Sequence, residues 1–224
     1  MGDWARVPLD KSRPWNMLIV PRCVFTRRER MSTALRKEEV DITYTYADYK
    51  EWELKQGERY ELINGVAYAM SAPNAYHQLI AFELGRQIGN YLAGKPCKAY
   101  PAPFDVRLFY EEDESDDTIV QPDLSIVCDK EKRGSEGCRG APDFVAEILS
   151  PGNTAIHMEE KFQLYLDAGV REYWVLNPKN KTLKAHFFAD GEIHTRTYCA
   201  TDKADVGIFP GFAVDLEPVF AEDV

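Results

Sequence analysis

The chain lacks the features that mark several large protein classes. No apolar run approaches the roughly 18 residues that cross a bilayer, so no membrane-spanning helix is expected. No Gly-rich phosphate loop, no G-x-S-x-G elbow and no cysteine with a convincing histidine partner occurs, which sets aside the nucleotide, acyl-transfer and thiol chemistries that use them. The five cysteines, Cys23, Cys97, Cys128, Cys138 and Cys199, form no C-x-x-C pair. Their odd number argues against a disulfide framework or a zinc site, and buried or indifferent thiols are the expectation. Basic charge is also scarce: 27 Lys and Arg face 37 Asp and Glu, a net charge of −10. A protein that grips nucleic acid through its phosphates is usually basic on one face, so this balance works against such a function. Part of the excess is local. Glu111-Glu-Asp-Glu-Ser-Asp-Asp117 holds six acids in seven positions and reads as a solvated hairpin tip. No internal repeat or low-complexity segment is found.

What is present suits a folded domain. The 224 residues are 45% hydrophobic, 12% aromatic and 29% charged, ordinary values for a globular core. Residues 1–42 read as an irregular N-terminal extension and 43–224 as one domain. Met31-Ser-Thr-Ala34 looks like a second start. The apolar patch Met17-Leu-Ile-Val20 is too short for a secretory signal, so a cytoplasmic location is expected.

The chain then alternates element types. Tyr46 to Leu54 carries a short amphipathic helix, ended by Gly57. Asn64-Gly65, between two β-favouring runs, is a two-residue type I′ hairpin turn. Residues 77–92 form a helix with Leu79, Ile80, Leu84, Ile88 and Leu92 on one stripe, stopped by Gly94 and Pro96. Three strands follow, over 97–108, 120–128 and 143–150, then a turn at 150–154 and a helix over 155–168, capped by Gly169. A near-continuous apolar strand over 172–178 comes next, followed by a hairpin around Asp190-Gly191. A loop and short strand over 206–219 close the chain. The helix between the third and fourth strands implies a parallel crossover. The order predicts an α/β fold with a mixed sheet.

Two carboxylates stand out. Asp123 begins a strand after Pro122, which cannot donate to a sheet ladder. Alternation puts Asp123, Ser125 and Val127 on one face and turns Leu124 and Ile126 to the core. Asp at a strand end is commonly a cap or turn residue. Glu147 is harder to account for, because it lies inside Phe-Val-Ala-Glu-Ile-Leu, where an ionised carboxylate is costly unless paired or bound to metal. Together, on neighbouring strands, they suit a hard divalent cation such as Mg²⁺. Asp105 is a third strand carboxylate and a candidate ligand, with pairing to Arg107 as the alternative. Lys161 follows on a helix face with His157, Leu164 or Tyr165, and Ala168 at i, i+4 spacing. Its bland alternative is a solvated pair with Glu159 or Glu160. Glu61 and His77 are weaker candidates, a surface strand residue and a helix-start residue.

Several of these segments together resemble one family. Gln121-Pro-Asp123, Ala146-Glu-Ile-Leu-Ser-Pro151, Glu160-Lys-Phe-Gln-Leu-Tyr165 and Ala168-Gly-Val-Arg-Glu-Tyr-Trp174 look like the bacterial "putative restriction endonuclease" family of the PD-(D/E)XK nuclease superfamily. Tyr60-Glu-Leu-Ile-Asn-Gly65 and Pro101-Ala-Pro-Phe-Asp-Val-Arg-Leu108 resemble the same family, and the likeness covers about residues 43 to 200. It implies a restriction-endonuclease-like core, α-β-β-β-α-β, with β-hairpins before and after it. It also implies a homodimer and a Mg²⁺-dependent endonuclease acting on DNA, with Mn²⁺ as a substitute metal. Asp123 and Glu147, with Asp105, would hold the metal, and Lys161 would complete the catalytic set. Glu61, His77 and Tyr165 would be secondary members. One position departs from the superfamily pattern: Leu149 stands where its Lys comes two residues after the second acid. The resemblance therefore implies that Lys161 serves from the helix. The competing expectation is a nuclease-fold module that binds or regulates without turnover, for which Leu149 and the acidic charge argue.

Overall fold

A computed structural model describes residues 43–52, 59–150, 155–189 and 191–221. The N-terminal extension, the helix end at Gly57, the turn at 151–154 and Asp190 lie outside the described residues.

The first helix, α1 (Tyr46–Tyr49), is a single turn, capped by the Thr45 and Asp48 side chains and backbones in a reciprocal box. Strands β1 (Tyr60–Ile63) and β2 (Val66–Ala69) pair antiparallel around Asn64-Gly65, where φ is +50° and +76°. Those angles define a turn that only Asn and Gly adopt at low cost. A Cβ on Gly65 would also meet the Thr43 side chain at 2.9 Å. Helix α2 (Ala75–Leu92) starts at Asn74, whose side chain accepts the His77 N–H, and buries Ile80, Leu84, Ile88 and Leu92, whereas Leu79, expected on the same stripe, is exposed.

The first two of the three strands expected next are each divided between two sheets. The first becomes β3 (Lys98–Pro101) and β4 (Val106–Arg107). The second becomes β5 (Ile119–Val120) and β6 (Leu124–Val127). Each break falls at prolines, Pro101 and Pro103 in one and Pro122 in the other, which supply no N–H to continue a ladder. With β7 (Cys138–Arg139), the short pieces complete a five-stranded sheet in the order β2-β1-β5-β4-β7.

The second sheet holds β8 (Phe144–Ile148), β9 (Glu172–Asn177), β10 (Thr182–Ala189) and β11 (Glu192–Cys199). Its order is β11-β10-β9-β8-β6-β3. Strands β8 and β9 run parallel, joined through α3 (Ala155–Ala168), as the crossover predicts, while the other pairs are antiparallel. The chain ends in β12 (Lys203–Asp205), β13 (Ala213–Asp215) and α4 (Leu216–Val219).

The larger sheet is covered on both faces. Leu124, Ile126, Phe144, Ala146, Ile148, Trp174 and Leu176 pack with the α2 stripe and the C-terminal segment. Val127, Val145 and Tyr173 pack on the other side with α3 and with Ile63, Val106 and Val120 of the smaller sheet. The expectation that β6 turns only Leu124 and Ile126 inward is corrected, because all four of its residues are buried. The acidic tip is corrected in part: Asp116 is buried and accepts two hydrogen bonds from Arg107, which is thereby taken from Asp105.

The thiol expectation fails at two positions. Cys97 and Cys128 form a disulfide, while Cys138 and Cys199 are free. The two follow directly from the register of β3 and β6, in which Lys98 opposes Val127. Cys97 and Cys128 are the next facing pair, a relation that the sequence separation of 31 hides. Among the described residues, no helix is long and apolar enough to cross a membrane.

Candidate active site

Alternation along β8 decides where Glu147 points. Phe144, Ala146 and Ile148 belong to the α2 side, so Val145 and Glu147 face the side covered by α3. Helix α3 presents His157, Lys161 and Tyr165 at i, i+4 spacing, and Leu164 and Tyr165 anchor it on the sheet. Lys161 is thereby driven inward to 2% exposure. Its Nζ donates to Glu147 Oε1 at 2.8 Å and to Glu61 Oε1 at 2.8 Å. Tyr165 donates its hydroxyl to the same Glu147 oxygen at 2.7 Å.

Glu61 comes from the hairpin of the smaller sheet. Its Oε1 also accepts the Gln121 N–H at 2.9 Å, and its Oε2 lies 3.8 Å from His157 Nε2. One ammonium thus stands between two buried carboxylates, and their chemistry diverges. Burial raises the Glu147 carboxyl, and the Glu61 and Asp123 charges raise it further, against the pull of Lys161. Burial also works to raise Glu61, but the Lys161 charge and hydrogen bonds from His157, Lys161 and Gln121 bring it below the ordinary range. Lys161 is held charged, because the two carboxylates outweigh the cost of burying it.

Asp123 approaches from β6. Its Oδ2 accepts the Ile148 N–H at 2.7 Å, one residue beyond Glu147. His77 Nε2 lies 3.3 Å from the same oxygen and 3.1 Å from the Ile148 carbonyl. Both neighbours are acceptors, so Nε2 carries the proton. Burial opposes a charge on His77, but Asp123 and the Ile148 carbonyl raise its pKa. His77 is accordingly no plain helix-start residue: it clamps Asp123 and the strand that carries Glu147.

The expected three-carboxylate set of Asp105, Asp123 and Glu147 does not gather. Asp105 Oδ1 accepts Gln121 Nε2 at 2.7 Å and Tyr49 OH at 3.3 Å, and burial raises its carboxyl. Among the described residues, no group of three or more His, Cys, Asp and Glu could hold a metal ion by itself. Two carboxylates remain, Asp123 and Glu147, and the Asp123 charge raises the Glu147 carboxyl. That donor set fits a hard cation such as Mg²⁺, which commonly takes one or two carboxylates and fills its other positions with water.

At Leu149 the backbone continues the sheet, its N–H bonded to the Leu176 carbonyl, and the side chain brings no charge. Lys161 reaches Glu147 from the helix instead. Sequence reasoning missed Gln121, which joins Glu61 to Asp105 through its backbone and side chain, and His157 as a partner of Glu61. The His157–Lys161 spacing carried a signal for the second. Nothing local to Gln121 carried one for the first.

The architecture is shared with a solved structure, a putative nuclease belonging to DUF820 from Anabaena variabilis ATCC 29413. The TM-score is 0.62 at 18% identity, over 79% of this chain and 97% of that one. The fold is therefore of the restriction-endonuclease-like class, with an acid–lysine cluster at the seam of its two sheets. The chain belongs to the family described as Uma2, "Putative restriction endonuclease", whose model matches residues 46–217. This membership makes nuclease its general class of function. Two Synechocystis relatives are similar along much of the chain. The uncharacterized protein slr1290 is 27% identical over 172 residues, 75% of this chain and 88% of that protein. The uncharacterized protein sll1609 is 25% identical over 123 residues, 54% of this chain and 67% of that protein.

Proposed function

We propose that the protein is a Mg²⁺-dependent endonuclease that hydrolyses phosphodiester bonds in DNA. The observation that carries this reading is the buried Lys161, held 2.8 Å from Glu147 Oε1 by a helix that supplies what Leu149 cannot. Asp123 and Glu147 would hold the cation, with Mn²⁺ as a substitute. When bound, such an ion supplies Lewis acidity and lowers the pKa of its water.

The chain's own groups have separate tasks. Lys161 keeps a full positive charge in a site shielded from solvent, where it can stabilise charge developing on the phosphoryl oxygens. Tyr165 donates to Glu147 and holds its carboxylate in one orientation. Glu61 keeps Lys161 charged and tethered when Glu147 is engaged elsewhere. His77 holds Asp123 and the Ile148 carbonyl in place. Hydrolysis breaks one P–O bond and leaves a phosphate monoester and a free hydroxyl. A homodimer in the cytoplasm accompanies this reading, and sedimentation of the purified protein tests the dimer.

The test is nicking of supercoiled plasmid with Mg²⁺ and with chelator, for wild type, Asp123→Asn and Glu147→Gln. Wild type should nick only with the metal, and each variant should lose about 10²-fold or more. Undiminished nicking by either variant overturns the mechanism. Metal binding and DNA binding without cleavage by wild type would favour the module that binds without turnover.

A further inference from the structure

Glu61 and Tyr68 are directly paired in the hairpin of β1 and β2. Paired residues in a ladder project from the same face of the sheet. Helix α3 crosses that face, and the Tyr68 ring centroid lies 5.3 Å from the His157 ring at a 52° tilt. His157 in turn stands 3.8 Å from Glu61, which bonds Lys161. These contacts run from the interior outward. Glu147, Lys161 and Glu61 are buried, His157 is mostly buried, and Tyr68 is 36% exposed. Two rings therefore stand over the acid–lysine cluster, the outer one open to solvent. Its strand neighbour Val66 is exposed as well, so Tyr68 is not a plug for the core.

We propose that Tyr68 is a stacking platform for the nucleobase beside the scissile phosphate, so that the site takes single-stranded or locally unpaired nucleic acid. This rests on the endonuclease reading. A base within a paired duplex has both faces covered by its neighbours and has none to offer a protein ring. An unpaired base offers its whole face, whatever its identity. The charge of the chain points the same way. At a net charge of −10, a general electrostatic grip on phosphates is poor. Stacking on an uncharged ring supplies affinity that does not depend on it. His157, between Tyr68 and Glu61, separates the base platform from the phosphate site.

The experiment is fluorescence anisotropy with a labelled short oligodeoxynucleotide, presented as a single strand, as a fully paired duplex and as a duplex with a central unpaired bubble. Calcium replaces magnesium to prevent turnover. The single strand and the bubble should bind wild type more tightly than the paired duplex. Tyr68→Leu, which keeps apolar bulk without a π face, should lose about tenfold of the single-strand affinity. Tyr68→Phe should retain it, and duplex affinity should not change in either variant. Equal affinity of wild type for duplex and single strand overturns the proposal, as does unaltered single-strand binding by Tyr68→Leu. Tyr68-dependent binding without Mg²⁺-dependent cleavage by wild type would sink the endonuclease reading alone. Cleavage that is indifferent to Tyr68 and to base pairing would sink only this proposal.

Discussion

Lys161 is the residue on which the site turns. It is fully enclosed, and its two carboxylate partners would be left as unpaired buried charges without it. Removing one member of a buried ion pair costs about 3–5 kcal/mol, more than the loss of a surface pair. Lys161→Met should therefore lower stability by that order in urea denaturation. Cleavage should fall by about 10²–10³-fold under conditions where the variant is still folded. A variant as stable as wild type would mean that Glu61 and Glu147 take up protons at little cost. Glu147 attracted attention in the sequence because apolar residues flank it. Glu61 did not, because a Glu in a hairpin strand ordinarily faces water. Its burial follows from the packing of α3 against that hairpin, which no pattern within Tyr60-Glu-Leu-Ile63 encodes.

At the scale of elements, β9 carries a further buried acid, Glu172, which locks the C-terminal segment. Its carboxylate accepts Trp174 Nε1 at 2.6 Å and the Ile208 N–H at 2.9 Å. The backbone reaches it closely because residue 207 is Gly; a Cβ there would meet the Phe187 ring at 2.6 Å. Burial raises the Glu172 carboxyl to about 7 against these hydrogen bonds. The folded state therefore holds a proton that the unfolded chain releases near 4.5. Its contribution is fully present below 4.5 and is lost as pH rises through 7, a change of up to about 3 kcal/mol. Between pH 5 and pH 8, wild type should lose stability relative to Glu172→Gln in urea titrations. A difference independent of pH would show that Glu172 does not titrate in this range. The join between β3 and β6 gives another expectation. The Cys97–Cys128 bond closes a loop that should contribute roughly 3–4 kcal/mol through the unfolded chain. Cys97→Ser, or reduction of the wild type, should lower the melting temperature, and reduction should leave the Cys97→Ser variant unchanged.

Taken whole, the molecule is acidic and yet belongs to a nuclease family. The carboxylates at the seam of the sheets repel a phosphate until a cation offsets them. DNA affinity should thus rise when calcium is added to the chelated protein, and Asp123→Asn with Glu147→Gln should abolish the increase. Affinity that is the same with calcium and with chelator would remove the cation from the account of binding. Net charge averages over a surface, whereas the acid–lysine cluster is a few buried groups.

The succession of elements was readable from the chain alone: the Asn64-Gly65 turn, the α2 stripe, the apolar strands and the parallel crossover. Those features rest on local physics, the positive φ of a turn, the period of a helix and the alternation of a strand. Glu147 stood out for the same reason, since an acid in an apolar run demands a partner, which it finds in Lys161 and Tyr165. The division of two strands between separate sheets, the facing of Cys97 with Cys128, the separation of Asp105 and the enclosure of Lys161 by Glu61 were decided only in three dimensions. Each depends on which elements pack together, and contacts between distant residues leave no periodic trace in the chain that makes them.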